Sequence, residues 1–273
     1  MPELPEVETV KRGLQSIVKP SSELREVKLF RKDLRFKIPP SLPRNVKGQK
    51  LTSIRRVGKY LLFDFETHSL LNHLGMTGNW RELGNDGSKK HDHFHLKFQN
   101  DLVLVYNDPR RFGVLDVAKN SEIMEHKLLR SMGPDPTLDE AFTAEYLKEK
   151  ARKRIVAVKN FIMDQKIVVG VGNIYASEAL FRSGIKPQKQ ASKVTLKSYE
   201  TLVKEIKDVL DEAIKAGGST ISDFKQAGGS EGYFQNSFKV YGRKGDPCVT
   251  CKEPIQMKVI GQRSSFFCRK CQS

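Results

Sequence analysis

No run of residues is long and apolar enough for a membrane span, and no signal-peptide pattern opens the chain. The start, MPELPEVE, is acidic where a secretory leader is basic. Cysteine is absent before Cys248, which excludes a disulfide scaffold for the body of the chain. No internal repeat or low-complexity tract is present, so solenoid and fibrous classes fall away. Acidic residues are scarce relative to basic ones, 32 against 48, giving a net charge of +16. With a pI of about 9.6, that balance points to a polyanionic partner, nucleic acid or an acidic membrane surface. The reading these absences leave is a cytoplasmic, nucleic-acid-facing protein.

What is present supports a real core: 38% of the 273 residues are hydrophobic, and the length suits two domains. Residues 25–118 alternate apolar and polar in short runs, such as Tyr60–Phe65, His93–Phe98 and Leu102–Tyr106, separated by turn residues. That pattern predicts a β-sandwich or barrel. Met132-Gly133-Pro134-Asp135-Pro136-Thr137 punctuates the chain, and the period then becomes helical. Helices are expected over 139–150, 152–164, 173–182 (with Asn173 as N-cap and Gly184 closing) and about 195–216. Residues 217–237, rich in glycine and poor in aliphatics, read as a long functional loop. The fold class is therefore α+β: a β-rich N-terminal domain with a leading helix, then a helical C-terminal domain.

The first ten residues, MPELPEVETV, hold a chemical possibility. Trimming of Met1 would leave Pro2 with a free secondary amine, and an α-amino group has a reference pKa of about 7.7–8.0. Such an amine can form a Schiff base with an aldehyde-level carbon. Glu3 beside it could give or take a proton. Val7, Val10, Leu14 and Ile17 or Val18 form an apolar stripe that would bury a helix starting near Pro5. The alternative is an ordinary frayed terminus ahead of an amphipathic helix.

The four cysteines, Cys248, Cys251, Cys268 and Cys271, are spaced C-x2-C-x16-C-x2-C. Two CxxC knuckles joined by a hairpin suit one structural Zn2+, with no open position for catalysis. Between them, Lys258–Ile260 and Ser264–Phe267 read as strands, with Arg263 at the turn. There it is either a phosphate-binding arginine or a solvated one. His91, His93 and His95 fall at i, i+2, i+4 on one expected strand face, but no nearby carboxylate or cysteine completes a metal site.

Four stretches together resemble the bacterial formamidopyrimidine-DNA glycosylase family: Met1–Glu8, Val169-Gly170-Val171-Gly172-Asn173-Ile174-Tyr175-Ala176, Val240–Gly245 and the cysteine ribbon. They occur in that family's order and spacing and span essentially the whole chain. Leu4, where the endonuclease VIII sister group usually has Gly, favours the purine-directed branch. The resemblance implies an N-terminal helix plus β-sandwich (1–132), a helix–two-turn–helix region with a lesion-capping loop (133–237) and a zinc-ribbon finger (238–273). It implies that Pro2 is the nucleophile, Glu3 the acid that opens the sugar ring, and Lys59 and Arg263 the cations that support elimination. Met76, Arg110 and Phe112 match the residues that fill the gap left by a flipped base. His91, Arg154, Lys159 and Asn173 match ligands of the DNA backbone.

The expected activity is excision of oxidised purines from damaged double-stranded DNA, followed by β,δ-elimination, by a monomer working at the nucleoid and not at a membrane. Two alternatives remain open on the sequence. One is a non-enzymatic zinc-ribbon DNA binder, which would have no use for Pro2, Glu3 and Lys59. The other is a pyrimidine-lesion glycosylase of the sister type.

Overall fold

The computed structural model describes residues 1–85, 87–99, 101–219 and 233–273. The chain divides into two compact units, one of Met1–Ser131 with the stretch from Gly217, the other of Met132–Ala216 with Tyr233–Ser273.

The first unit opens with helix α1 (Leu4–Ile17). Its start is fixed by a reciprocal cap. The Glu3 side chain accepts from the Glu6 backbone, and the Glu3 N–H donates to Glu6 Oε2 at 2.8 Å. Strand β1 (Leu24–Leu29) and the short helix α2 (Leu42–Val46) follow. Then come β2 (Leu51–Val57), β3 (Tyr60–Phe65), β4 (His68–His73), β5 (Asn79–Glu82), β6 (Asp92–Phe98), β7 (Val103–Asn107) and β8 (Val114–Lys119). They make two antiparallel four-stranded sheets, ordered β1-β6-β7-β5 and β2-β3-β4-β8. Alternation sends Phe63, Trp80, Phe94 and Tyr106 into one core with Val7, Val10 and Leu14 of α1. The Trp80 ring lies 5.0 Å from Phe63 and 5.1 Å from Phe94, and its Nε1–H donates to Asn72 Oδ1. The expected sandwich is present.

The second unit holds α3 (Ala144–Ala151), α4 (Val158–Met163), α5 (Asn173–Arg182), α6 (Leu196–Lys215) and the hairpin β9 (Gln256–Ile260) and β10 (Arg263–Phe267). Leu202, Ile206, Val209 and Leu210 of α6 are buried, as their spacing predicts.

Four local expectations are corrected. The helix expected over 139–150 begins only at Ala144. The Asp139 carboxylate accepts from Asp135 N–H, and Thr143 Oγ1 caps the helix by accepting from Tyr146 N–H. The helix expected over 152–164 is α4 alone: residues 154–157 run extended beside 190–192, with Ala191 N–H donating to Val156 O and Ser192 N–H to Arg154 O. Arg154 thus sits in an exposed connection, not on a helix. Asn173 is not the N-cap of α5; Gly172 is, and Gly184 closes the helix at φ +68° as expected. The histidine trio does not share a strand face, because His91 precedes β6 at φ +74° and the β6–β7 register shifts between Asp92 and Phe94. Most of the loop expected over 217–237 lies outside the described residues.

Candidate active site and nucleic-acid interface

In the first unit Pro2 is buried at the head of α1, and Glu3 is only 3% exposed. Glu6, equally buried, reaches both ways: Oε2 holds Glu3 N–H, and Oε1 accepts from the backbone N–H and hydroxyl of Ser219. The apolar stripe of α1 is pinned to β2 by a buried ion pair, Glu8 with Arg56 at 3.0 Å. Burial pushes the Glu8 carboxyl up, but Lys11 and Arg56 outweigh it and hold its pKa below the ordinary value. Arg56 also donates to Gly58 O, in the turn that carries Lys59. Lys59 is therefore a buried turn residue, 6% exposed, rather than the exposed strand lysine its sequence context alone suggests.

Met76 and Phe112 belong to two turns that the fold joins. Met76 lies between β4 and β5, and Phe112 between β7 and β8. Fully buried Asp108 ties them: its carboxylate accepts from the Thr77 hydroxyl at 2.6 Å and from Gly113 N–H at 2.8 Å. Arg110 N–H donates to the same Thr77 hydroxyl, and its guanidinium lies 4.9 Å from the Phe112 ring centroid. Phe112 is 42% exposed, so it is no core residue. An apolar ring held out to solvent by two hydrogen-bonded turns suits insertion into a base stack. His91 lies beside this loop, its carbonyl accepting from Asp108 N–H.

In the second unit the two-residue turn Gly261-Gln262 has positive φ at both positions, which joins β9 to β10 directly. Arg263 is exposed and pairs with Ile260 at the start of β10, one place beyond the expected tip. Asn173 Nδ2 donates to Ser264 O at 3.1 Å. The ammonium of Lys159 is inside the unit, bonded to Asn173 Oδ1, Ser264 O and Ser265 Oγ.

The ligand atoms of Cys248, Cys251, Cys268 and Cys271 all lie within 4.8 Å of one another, with sulfur separations of 3.4 and 3.9 Å across two pairs. Thiolates at roughly 2.3 Å from a tetrahedral Zn2+ stand about 3.8 Å apart, so this is a structural zinc site and not two disulfides.

Sequence reasoning missed three anchoring residues: Asp108, Glu6 and Glu178. Glu178 is fully buried on α5 and accepts from the backbone N–H groups of Lys239, Val240 and Tyr241. Nothing in the sequence pattern marks Glu178, which lies between Ser177 and Ala179. No described helix is long and apolar enough to cross a membrane.

A β-sandwich led by a helix, then a short helical motif and a four-cysteine hairpin, define the class: a zinc-ribbon, helix–two-turn–helix protein. Residues 1–115 match the Formamidopyrimidine-DNA glycosylase N-terminal domain, 132–225 the Formamidopyrimidine-DNA glycosylase H2TH domain, and 245–273 the zinc finger found in FPG and IleRS. The chain belongs to the formamidopyrimidine-DNA glycosylase family. It is 52% identical to the formamidopyrimidine-DNA glycosylase of Bdellovibrio bacteriovorus and 49% to that of Vibrio atlanticus, over the full length of both chains in each case. Among solved structures it is similar to the MutM (Fpg) protein of Thermus thermophilus, with TM-score 0.89, 37% identity and 99% and 98% of the two chains covered. It is also similar to the Lactococcus lactis Fpg in complex with abasic-site DNA, with TM-score 0.91, 33% identity and 99% of each chain covered.

Proposed function

We propose that this chain is a bifunctional DNA glycosylase and apurinic/apyrimidinic lyase that removes oxidised purines from duplex DNA during base excision repair. The observation that carries the reading is the burial of Pro2 beside Glu3 at a capped helix start, where a frayed terminus would be exposed. Removal of Met1, itself exposed, bares the Pro2 nitrogen. That nitrogen bonds to C1′ as the C1′–N9 bond breaks and the base leaves with a proton. Glu3 protonates O4′ as the sugar ring opens to the iminium. Loss of a 2′ proton expels the 3′ phosphate, and loss of the 4′ proton from the resulting conjugated iminium expels the 5′ phosphate. Water then hydrolyses the iminium and frees Pro2. Lys59 and Arg263 act on the phosphates that leave.

Met76, Arg110 and Phe112 fill the vacated stack, and His91, Arg154 and Asn173 hold the backbone. Cationic residues on both units support a duplex partner engaged by each. The working division is three parts, 1–132, 133–237 and 238–273. The protein acts as a monomer in the cytoplasm, on the chromosome that supplies its substrate. Borohydride trapping on a duplex with 8-oxoguanine tests the reading. A covalent adduct is expected with the wild type and none with Pro2→Gly; an adduct of equal yield in both would overturn it. Faster turnover of thymine glycol than of 8-oxoguanine would place it in the pyrimidine branch instead.

A further inference from the structure

Lys159 has no exposed surface, which is uncommon for a lysine and calls for a role inside the fold. Its stem leaves α4, and its ammonium reaches three acceptors on two other elements. These are Asn173 Oδ1 at 2.5 Å on the first turn of α5, and Ser264 O at 3.2 Å and Ser265 Oγ at 2.6 Å on β10. An ammonium has three N–H donors, enough to serve each of these acceptors. Ser265 is also without exposed surface, and its hydroxyl donates to Arg263 O. The neighbouring residue on α4 grips the other side of the turn. A Cβ added to Gly261 would stand 2.4 Å from the Asn160 side-chain nitrogen, so the hairpin turn rests directly on that amide. Residues on both sides of Arg263 are thus held by two successive residues of α4, while Arg263 itself stays exposed.

We propose that Lys159 is a positioning residue rather than a phosphate ligand: it locks the zinc hairpin to the start of α5, so that Asn173 and Arg263 form one preassembled phosphate clamp. The inference rests on the reading of this chain as a DNA-binding glycosylase. It adds that zinc in the ribbon and the geometry at Asn173 are linked through a buried ammonium. Opening the Lys159 contacts frees the hairpin, which loosens the ribbon that the thiolates close. Losing the ribbon likewise withdraws two of the three acceptors from Lys159.

Two measurements on the full-length, zinc-loaded protein test this. The first is affinity for a duplex containing a tetrahydrofuran abasic analogue, which needs no chemistry. Lys159→Met and Arg263→Ala are each expected to weaken binding about tenfold, and the double variant only about tenfold as well, because both remove the same clamp. Lys159→Met combined with Arg110→Ala, on the other unit, should instead multiply. A product of the two single effects in the Lys159/Arg263 pair would show that Lys159 meets DNA on its own, and would overturn the proposal. The second is the rate of zinc release to a coloured chelator without DNA. It should rise about fivefold in Lys159→Met and in the milder Ser265→Ala, and stay at the wild-type rate in Arg263→Ala. Unchanged release in both of the first two variants would overturn it even if Lys159→Met folds poorly. Absence of duplex binding by the wild type, with the zinc-release pattern intact, would sink the glycosylase reading while leaving the lock in place.

Discussion

Gly75 and Phe112 touch through their backbones. A Cβ added to Gly75 would stand 2.4 Å from the Phe112 carbonyl carbon and 2.5 Å from Gly113 N. Gly75 also sits at φ +68°, a region that side chains rarely adopt. The turn bearing Met76 and the loop bearing Phe112 are therefore spaced by the lack of a side chain. Gly75→Ala should cost about 2–4 kcal/mol, combining overpacking with the backbone penalty. Thermal denaturation reads the loss directly. Binding to an abasic duplex should fall as well, and an unchanged Tm would show that the two turns can separate freely.

Glu178 makes a second testable anchor. Its carboxylate accepts three backbone N–H bonds, from Lys239 at 2.9 Å, Val240 at 3.0 Å and Tyr241 at 2.8 Å. Glutamine in its place would point an NH2 group at one or more of those donors. A buried site left with facing donors loses about 2–4 kcal/mol. Urea unfolding of Glu178→Gln should show that loss. Wild-type midpoints would mean that the segment 239–241 finds other acceptors.

Zinc removal should separate the two units by their probes. The chain has a single tryptophan, Trp80, buried in the sandwich core of the first unit. Chelation or Cys268→Ser should abolish duplex binding, because the hairpin that carries Arg263 depends on the ribbon. Trp80 emission should stay in place, since its neighbours Phe63, Phe94 and Tyr106 belong to the same core. A shifted emission spectrum at full chelation would refute independent folding of the sandwich.

The sandwich, the α6 stripe and the zinc ribbon were legible because each rests on a local period or spacing that the sequence displays. The extended stretch at 154–157 was not, since basic and aliphatic residues there fit a helix until pairing with 190–192 decides otherwise. The interior position of Lys159 was hidden for a similar reason. A lysine reads as solvated unless its acceptors are known, and two of these lie more than a hundred positions away on β10. Asp108 and Glu178 were also invisible, because a carboxylate that serves backbone N–H groups leaves no partner in the sequence pattern. Burial of Phe112 would have been the ordinary expectation from its residue type alone, and only the resemblance singled it out.

His73 gives the chain a pH dependence whose direction follows from its surroundings. Desolvation first, then the charges of Lys59 and Arg35, lower its pKa from 6.5 to about 4. The neutral ring is the working form: its Nδ1 accepts from Gly75 N–H at 2.9 Å, and the ring lies 4.8 Å from that of Tyr60. Between about pH 4 and 6.5 the unfolded chain takes up a proton that the folded chain refuses, so unfolding is favoured as pH falls. The contribution is complete above pH 6.5 and is lost as pH drops toward 4. The full shift corresponds to about 3 kcal/mol, and partial contact of the ring with solvent reduces that to roughly 2 kcal/mol. Unfolding free energies from urea titrations at pH 5 and pH 8 should differ by about 1 kcal/mol in the wild type, because pH 5 lies inside the window and only part of the contribution is lost there. In His73→Asn, whose Oδ1 can accept the same Gly75 N–H without titrating, the difference should shrink. An equal pH difference in both proteins would assign the effect to other groups, and would leave the Gly75–Met76 turn without its proposed neutral acceptor.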